Sequence, residues 1–106
     1  MYENGNGVKK NVDKALSYYQ KAAEKGYSDS YAAMGLIYFN GNREKAFGCF
    51  KKAADMGSPS GCYLTGLCYQ DGTGVTKDRS KALEHFRKAD KLGYDGAKEK
   101  LKSLIT

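Results

Sequence analysis

Few residues in this 106-residue chain could do covalent chemistry: one histidine, His85, and three cysteines, Cys49, Cys62 and Cys68. A cysteine nucleophile needs a nearby base, so Cys49 with His85 is the pair to weigh. A zinc site needs a CxxC or a Cys/His spacing, and neither occurs. The segments "ENGNGVKKN" (3–11) and "DGTGVTKD" (71–78) resemble phosphate cradles only in their glycines. A phosphate loop needs a strand before it and Lys-Ser/Thr at its end. Asp71 and Asp78 flank the second segment without the ligand spacing of a calcium loop.

Whether Cys49 and His85 can meet depends on the elements that carry them. "DKALSYYQKAAEKG" (13–26), "EKAFGCFKKAADMG" (44–57) and "SKALEHFRKADKLG" (80–93) are one motif written three times. Ala15, Ala46 and Ala82 each stand eleven residues before a glycine, Gly26, Gly57 or Gly93. A period of 31 to 36 residues signals a stacked helical array. His85 falls at the position of Tyr18 and Cys49. Equivalent positions in neighbouring units lie about 10 Å apart, the usual distance between packed helices. That is beyond hydrogen-bond reach. No catalytic residue, metal or cofactor is expected.

The repeated segment is helical by pattern. Val12, Ala15, Leu16, Tyr19, Ala22 and Ala23 recur at spacings of three and four, one face of a helix. Asn11, Asn42 and Asp78 stand four before the aligned alanine, where a side-chain acceptor caps a first turn. This helix B is predicted at 12–25, 43–56 and 79–92. Between successive B helices lie "SYAAMGLIYF" and "GCYLTGLCYQ", predicted as helix A at 28–39 and 59–70. Ser30, Gly61, Gly35 and Gly66 are the small positions that let a neighbouring helix approach. Each A helix is followed by a glycine loop. The second loop lacks five residues between Gly41 and Asn42, a change that costs little in a loop. "YDGAKEKLKSLIT" begins as a further A helix, with Ala97 at the small position and Lys102 where Gly35 and Gly66 stood. Charge at a packing position fits a terminal unit with a wet outer face.

Lys+Arg total 18 against 12 Asp+Glu, a net charge of +6. The charges are dispersed on helix B, opposite its apolar stripe, with no block of like charge and no basic-aromatic alternation that would stack bases. The longest apolar run falls far short of the ~20 residues of a membrane span. The first ten residues have no apolar core of a signal peptide. An odd cysteine count excludes a complete set of internal disulfides. Cys62 and Cys68, six apart on one predicted helix, point to different faces. Free thiols in a reducing compartment such as the cytoplasm are the expectation. A bridge between helices or chains through Cys49 is the alternative.

These residues resemble the Sel-one-like repeat family, a branch of the tetratricopeptide-like superfamily. Gly66, Tyr69, Gly72, Gly74, Val75, Asp78, Lys81, Ala82, Phe86, Lys88, Ala89 and Gly93 match its pattern. The likeness covers essentially the whole chain in three hits. Unit two lacks the loop valine, Asn11 and Asn42 replace the capping Asp, and Thr65 replaces the usual Leu. The resemblance implies an all-α fold, an α-solenoid of stacked antiparallel helix pairs with about six helices. The array would run 1–106 as one unit: a partial repeat at 1–26, repeats at 27–57 and 58–93, and a capping helix at 94–106. In a cysteine-rich branch, disulfides join helices A and B within each unit. Cys62 sits where one partner would sit, and Ala54 where its mate would.

The function implied is a non-catalytic protein- or peptide-binding module, an adaptor with its ligand on the concave side lined by helix A. The residues carried over to that side are Asp29, Ala32, Leu36, Phe39 and Asn40, then Ser60, Tyr63, Leu67, Gln70 and Asp71, with Glu99 and Ser103 extending the row. It carries aromatic anchors and acids and no Lys or Arg. The alternatives are a basic helix B face that meets nucleic acid or acidic membrane, and a unit that only self-associates. Salt separates phosphate binding from an apolar groove. Met1-Tyr2 aligns with the last turn of a helix A. The first B helix is therefore expected to leave Leu16, Tyr19 and Ala23 without their usual cover, either for upstream repeats or for pairing through this edge.

Overall fold

In the computed structural model of the chain, the backbone is described for residues 5–105 and the side chains for residues 11–105. Six helices follow one another: α1 (Gly5–Glu24), α2 (Asp29–Tyr38), α3 (Arg43–Asp55), α4 (Pro59–Asp71), α5 (Arg79–Lys91) and α6 (Ala97–Ile105). No strand occurs among the described residues. Each helix packs on the next, and α2 also reaches α4. The result is an elongated α-solenoid, 48 × 29 × 21 Å. Here α2, α4 and α6 are the A helices, and α1, α3 and α5 the B helices.

The caps are those the sequence supplies. The side chain of Asn42 accepts from the Lys45 amide at 3.0 Å and that of Asp78 from the Lys81 amide at 3.1 Å. Each satisfies an orphan donor of a first turn. Ser58 accepts from the Gly61 amide, with Pro59 in the first turn, where a missing amide costs nothing. The α3–α4 turn passes through Gly57 at φ 90°, a left-handed backbone that glycine takes without strain.

Small residues on the A helices receive large ones from the B helices. A side chain on Gly35 would meet the Phe50 ring at 2.4 Å, and one on Gly66 would meet the Phe86 ring at 2.7 Å. Phe50 and Phe86 are 1% and 0% exposed. Each buried ring contributes roughly 2–3 kcal/mol by transfer alone. On its other side α4 meets α3, where Gly61 lies against Ala53 and the backbone of Ala54. Cys62 packs in one cluster with Ala54, Ala89 and Ala97. Its Sγ is 3.9 Å from the Ala54 carbonyl oxygen, so the two positions that the cysteine-rich branch would bridge are neighbours.

Aromatic rings also hold the cations of the B helices. Lys45 lies over Tyr38 at 5.0 Å, and Lys81 over the equivalent Tyr69 at 5.6 Å. Lys52 lies over Tyr31 at 5.2 Å and Arg43 over Phe39 at 4.9 Å. Such contacts add roughly 0.5–1 kcal/mol each at exposed sites.

Two expectations need correction at the first helix. α1 begins at Gly5, so Asn11 lies inside a helix and caps nothing. The equivalent stretch before α5 is held as a loop by the preceding unit and by its own A helix. Gly74 lies against the carbonyl of Arg43, and the Asp78 amide donates to the Tyr69 carbonyl at 3.0 Å. Residues 5–10 instead continue the helix. Second, Ala23 is 3% exposed and therefore covered, because α2 packs back on the last turns of α1. Leu16 and Tyr19 are half-buried, while Val12 and Tyr18 are exposed. Met1-Tyr2 lies outside the described residues.

Candidate functional site

The A helices place their C-terminal turns beside one another. Leu36 and Phe39 from the end of α2, Leu67 and Asp71 from the end of α4, and Leu64, Cys68, Phe50 and Thr73 enclose a hollow of about 170 Å³. Of the residues expected on the concave side, Leu36, Phe39, Leu67 and Asp71 thus come together. Leu36, 55% exposed, stands at the rim. Asp71 is exposed at the negative end of α4, a position where an acid is disfavoured by the helix dipole. Its charge is felt inside the hollow. Burial first, and Asp71 second, push the Cys68 thiol up to about 11.

The other expected residues have different places. Asp29 and Ser60 form a structural tie at the opposite ends of α2 and α4. Asp29 Oδ1 accepts from the buried Ser58 hydroxyl at 2.5 Å and from Ser60 at 3.4 Å. Ala32 is 4% exposed, so it is core and presents no surface to a ligand. Tyr63 is half-buried against the next unit, its ring stacked on Tyr94 at 4.8 Å and tilted on Phe86 at 5.5 Å. Asn40 and Glu99 are exposed, in the α2–α3 turn and on α6 respectively. Gln70 and Ser103 line a second hollow of about 430 Å³, on the other side of the last turn of α4.

Sequence reasoning missed Leu64, Lys77 and Arg79. Leu64 stands three residues before Leu67, and that helical spacing was the signal available. Lys77 and Arg79 border the second hollow from the loop and the first turn of α5. No periodic pattern marks loop residues, so the expected absence of Lys and Arg from this side does not hold at its edge.

The reactive-looking residues are otherwise engaged. His85 Nδ1 lies 2.9 Å from the Lys81 carbonyl of its own helix, and its ring is tilted on Tyr69 at 5.5 Å. Burial raises the Cys49 thiol more than Lys45 and Lys52 lower it, so it is held as thiol rather than the thiolate a nucleophile needs. Burial likewise raises Cys62, with Lys88 opposing and Asp55 adding to the rise. All three cysteines are free. Among the described residues no group of three His, Cys, Asp or Glu is placed to hold a metal. No described helix is long and apolar enough to cross a membrane.

The family model for the Sel1 repeat matches residues 1–27, 28–58 and 59–94. The chain belongs to the Sel1 repeat family. Members of this family are generally protein–protein interaction modules and typically non-catalytic scaffolds. A Sel1 repeat protein from Oxalobacter formigenes superposes with a TM-score of 0.84 at 26% identity, over 90% of this chain and 40% of that one. Cysteine-rich protein B of Helicobacter pylori gives 0.78 at 29% identity, over 82% of this chain and 69% of that one. Rat DAP3-binding cell death enhancer 1 is 28% identical over 95 residues, 87% of this chain and 19% of the relative. The chain thus spans about a fifth of the curated relatives it matches.

Proposed function

We propose that this Sel1 repeat chain is a non-catalytic adaptor that holds a segment of a partner protein on the side where α2 and α4 lie, with an apolar side chain seated between their last turns. The observation that carries the reading is the apolar hollow open to solvent, with Leu36 exposed at its rim. An exposed leucine gains from cover, and anchors in such hollows dominate binding energy. Leu36, Phe39, Leu64 and Leu67 are the anchoring wall, and Asp71 is the charge beside it. A relative named for binding DAP3 is in keeping with a protein partner. The cations of α3 that lie over tyrosines serve packing, which weakens the alternative of a phosphate-binding basic face.

The test is affinity capture with three baits: wild type, Leu36→Asp, and Arg87→Glu with Lys91→Glu on the exposed side of α5. Leu36→Asp is expected to lose the captured protein by at least about tenfold, the cost of burying an uncompensated charge. The α5 variant is expected to keep it. The reverse pattern, with helicity intact in both variants, overturns the reading.

A further inference from the structure

The second hollow lies across the last turn of α4 from the apolar one, and charged and polar side chains share its wall with apolar ones. Tyr69, Gln70, Lys77, Arg79, Ser103 and Leu104 line it. Arg79 donates to the Leu104 carbonyl, which orients its guanidinium and leaves its remaining N–H donors for other acceptors. The Lys77 stem runs along Gly72. Asp78 lies between these two cations in sequence, but its carboxylate is committed to the cap at the Lys81 amide. Asp71 stands at the other hollow. Gln70 Oε1 is buried with no hydrogen-bond partner among the described residues. A buried acceptor without a donor carries an unmet cost.

We propose that this second hollow takes an acidic side chain of the bound segment, so that the partner of this chain is a peptide segment carrying Asp or Glu beside the apolar residue seated in the first hollow. The inference rests on the reading of the apolar hollow given above. A carboxylate accepts from Lys77, Arg79 and the Ser103 hydroxyl, and charge-assisted bonds of this kind are the stronger ones. A carboxylate cannot serve Gln70 Oε1, which needs a donor. That oxygen is shielded from solvent, so the bound segment does not reach it and the carboxylate is held by Lys77, Arg79 and Ser103. Asp71 on one side of that turn and Lys77 with Arg79 on the other give the segment a direction. A net charge of +6 favours approach of an acidic partner.

The experiment is selection from a displayed library of random peptides on the 106-residue chain, followed by binding of one selected peptide to wild type, Lys77→Glu and Leu36→Asp. Lys77 is exposed, so its reversal leaves the helices intact. Circular dichroism verifies this for both variants. Selected peptides are expected to carry Asp or Glu close to a large apolar residue. Affinity is expected to fall at least about tenfold in Lys77→Glu, the loss of a hydrogen bond to a charged group. Replacing the peptide's acid by Lys is expected to restore binding to that variant. Peptides lost on Leu36→Asp, but lacking an acid and binding Lys77→Glu as well as wild type, overturn this inference and leave the apolar-hollow reading standing. Peptides that bind Leu36→Asp as well as wild type, or no selected peptide at all, overturn both.

Discussion

The α2–α3 and α4–α5 pairs are built on one contact and closed by two different loops. In both, a phenylalanine of the B helix fills the space left by a glycine of the A helix, Phe50 at Gly35 and Phe86 at Gly66. In both, a lysine covers the equivalent tyrosine. Yet α2 ends at Tyr38 and reaches α3 through four residues, whereas α4 runs on to Asp71 and reaches α5 through seven. The short loop has no left-handed residue. The long one has Gly72 at φ 74° and Gly74 at φ 71°. Packing between helices, not the loop, therefore sets the unit, and the loop is free to take on a second task. In the longer one that task is to contact the preceding unit at Arg43 and to bring Lys77 and Arg79 beside Gln70.

The largest effects should ignore the loops. Phe50→Ala and Phe86→Ala are each expected to cost about 3–5 kcal/mol in denaturant unfolding, since each empties a fully packed site. A difference between them above about 2 kcal/mol would break the equivalence of the two pairs.

Next in size is a contrast between loops. Gly74→Ala is expected to cost about 2–3 kcal/mol, because a Cβ there would lie 2.2 Å from the Arg43 carbonyl oxygen at a left-handed φ. Gly41→Ala should stay within about 0.5 kcal/mol, with open space around it. Equal costs would show that Gly74 does not hold the loop to the preceding unit.

The smallest effect separates α4 from α2 by pH. Cys68 stands where α2 carries Ile37. Its folded pKa, about 11, exceeds the unfolded value near 9.0. The unfolded chain thus loses this proton first. The stabilisation is complete below pH 9 and is lost as pH rises toward 11. About 1 kcal/mol should go between pH 9 and 10. Urea unfolding of wild type and Cys68→Ala over that interval checks it, the variant lacking this part of the slope.

Much of the array was legible because its contacts are periodic. Glycines at fixed offsets from an Ala-rich helix marked Gly35 and Gly66 as positions of close approach, though not Phe50 and Phe86 as the rings that fill them, and the boundaries of α2 to α5 fall within a residue or two of those expected. The candidate site was less legible. Tyr63 and Leu67 share one helix face, four residues apart, so spacing alone cannot say that Tyr63 is taken up by Tyr94 of the next unit while Leu67 is left for a hollow. Asp29 is polar and near a helix start. Nothing local reveals that Ser58, 29 residues on, claims its carboxylate. Lys77 and Arg79 owe their place to the path of a loop. The start of α1 differs from expectation for a related reason: the glycine loop before α5 owes its path to the Gly74–Arg43 contact, which the glycines themselves do not reveal.

The Asp29–Ser58–Ser60 tie has a mechanical consequence. It fastens α2 to α4 at their N-terminal ends, while the apolar hollow lies between their C-terminal ends. The two helices form a pair of tongs, pivoted at the tie and open at the jaws. A small splay about the pivot would widen the jaws over several residues of helix while the tie stays closed, and under the proposed function it would let the same geometry accept anchors of different girth.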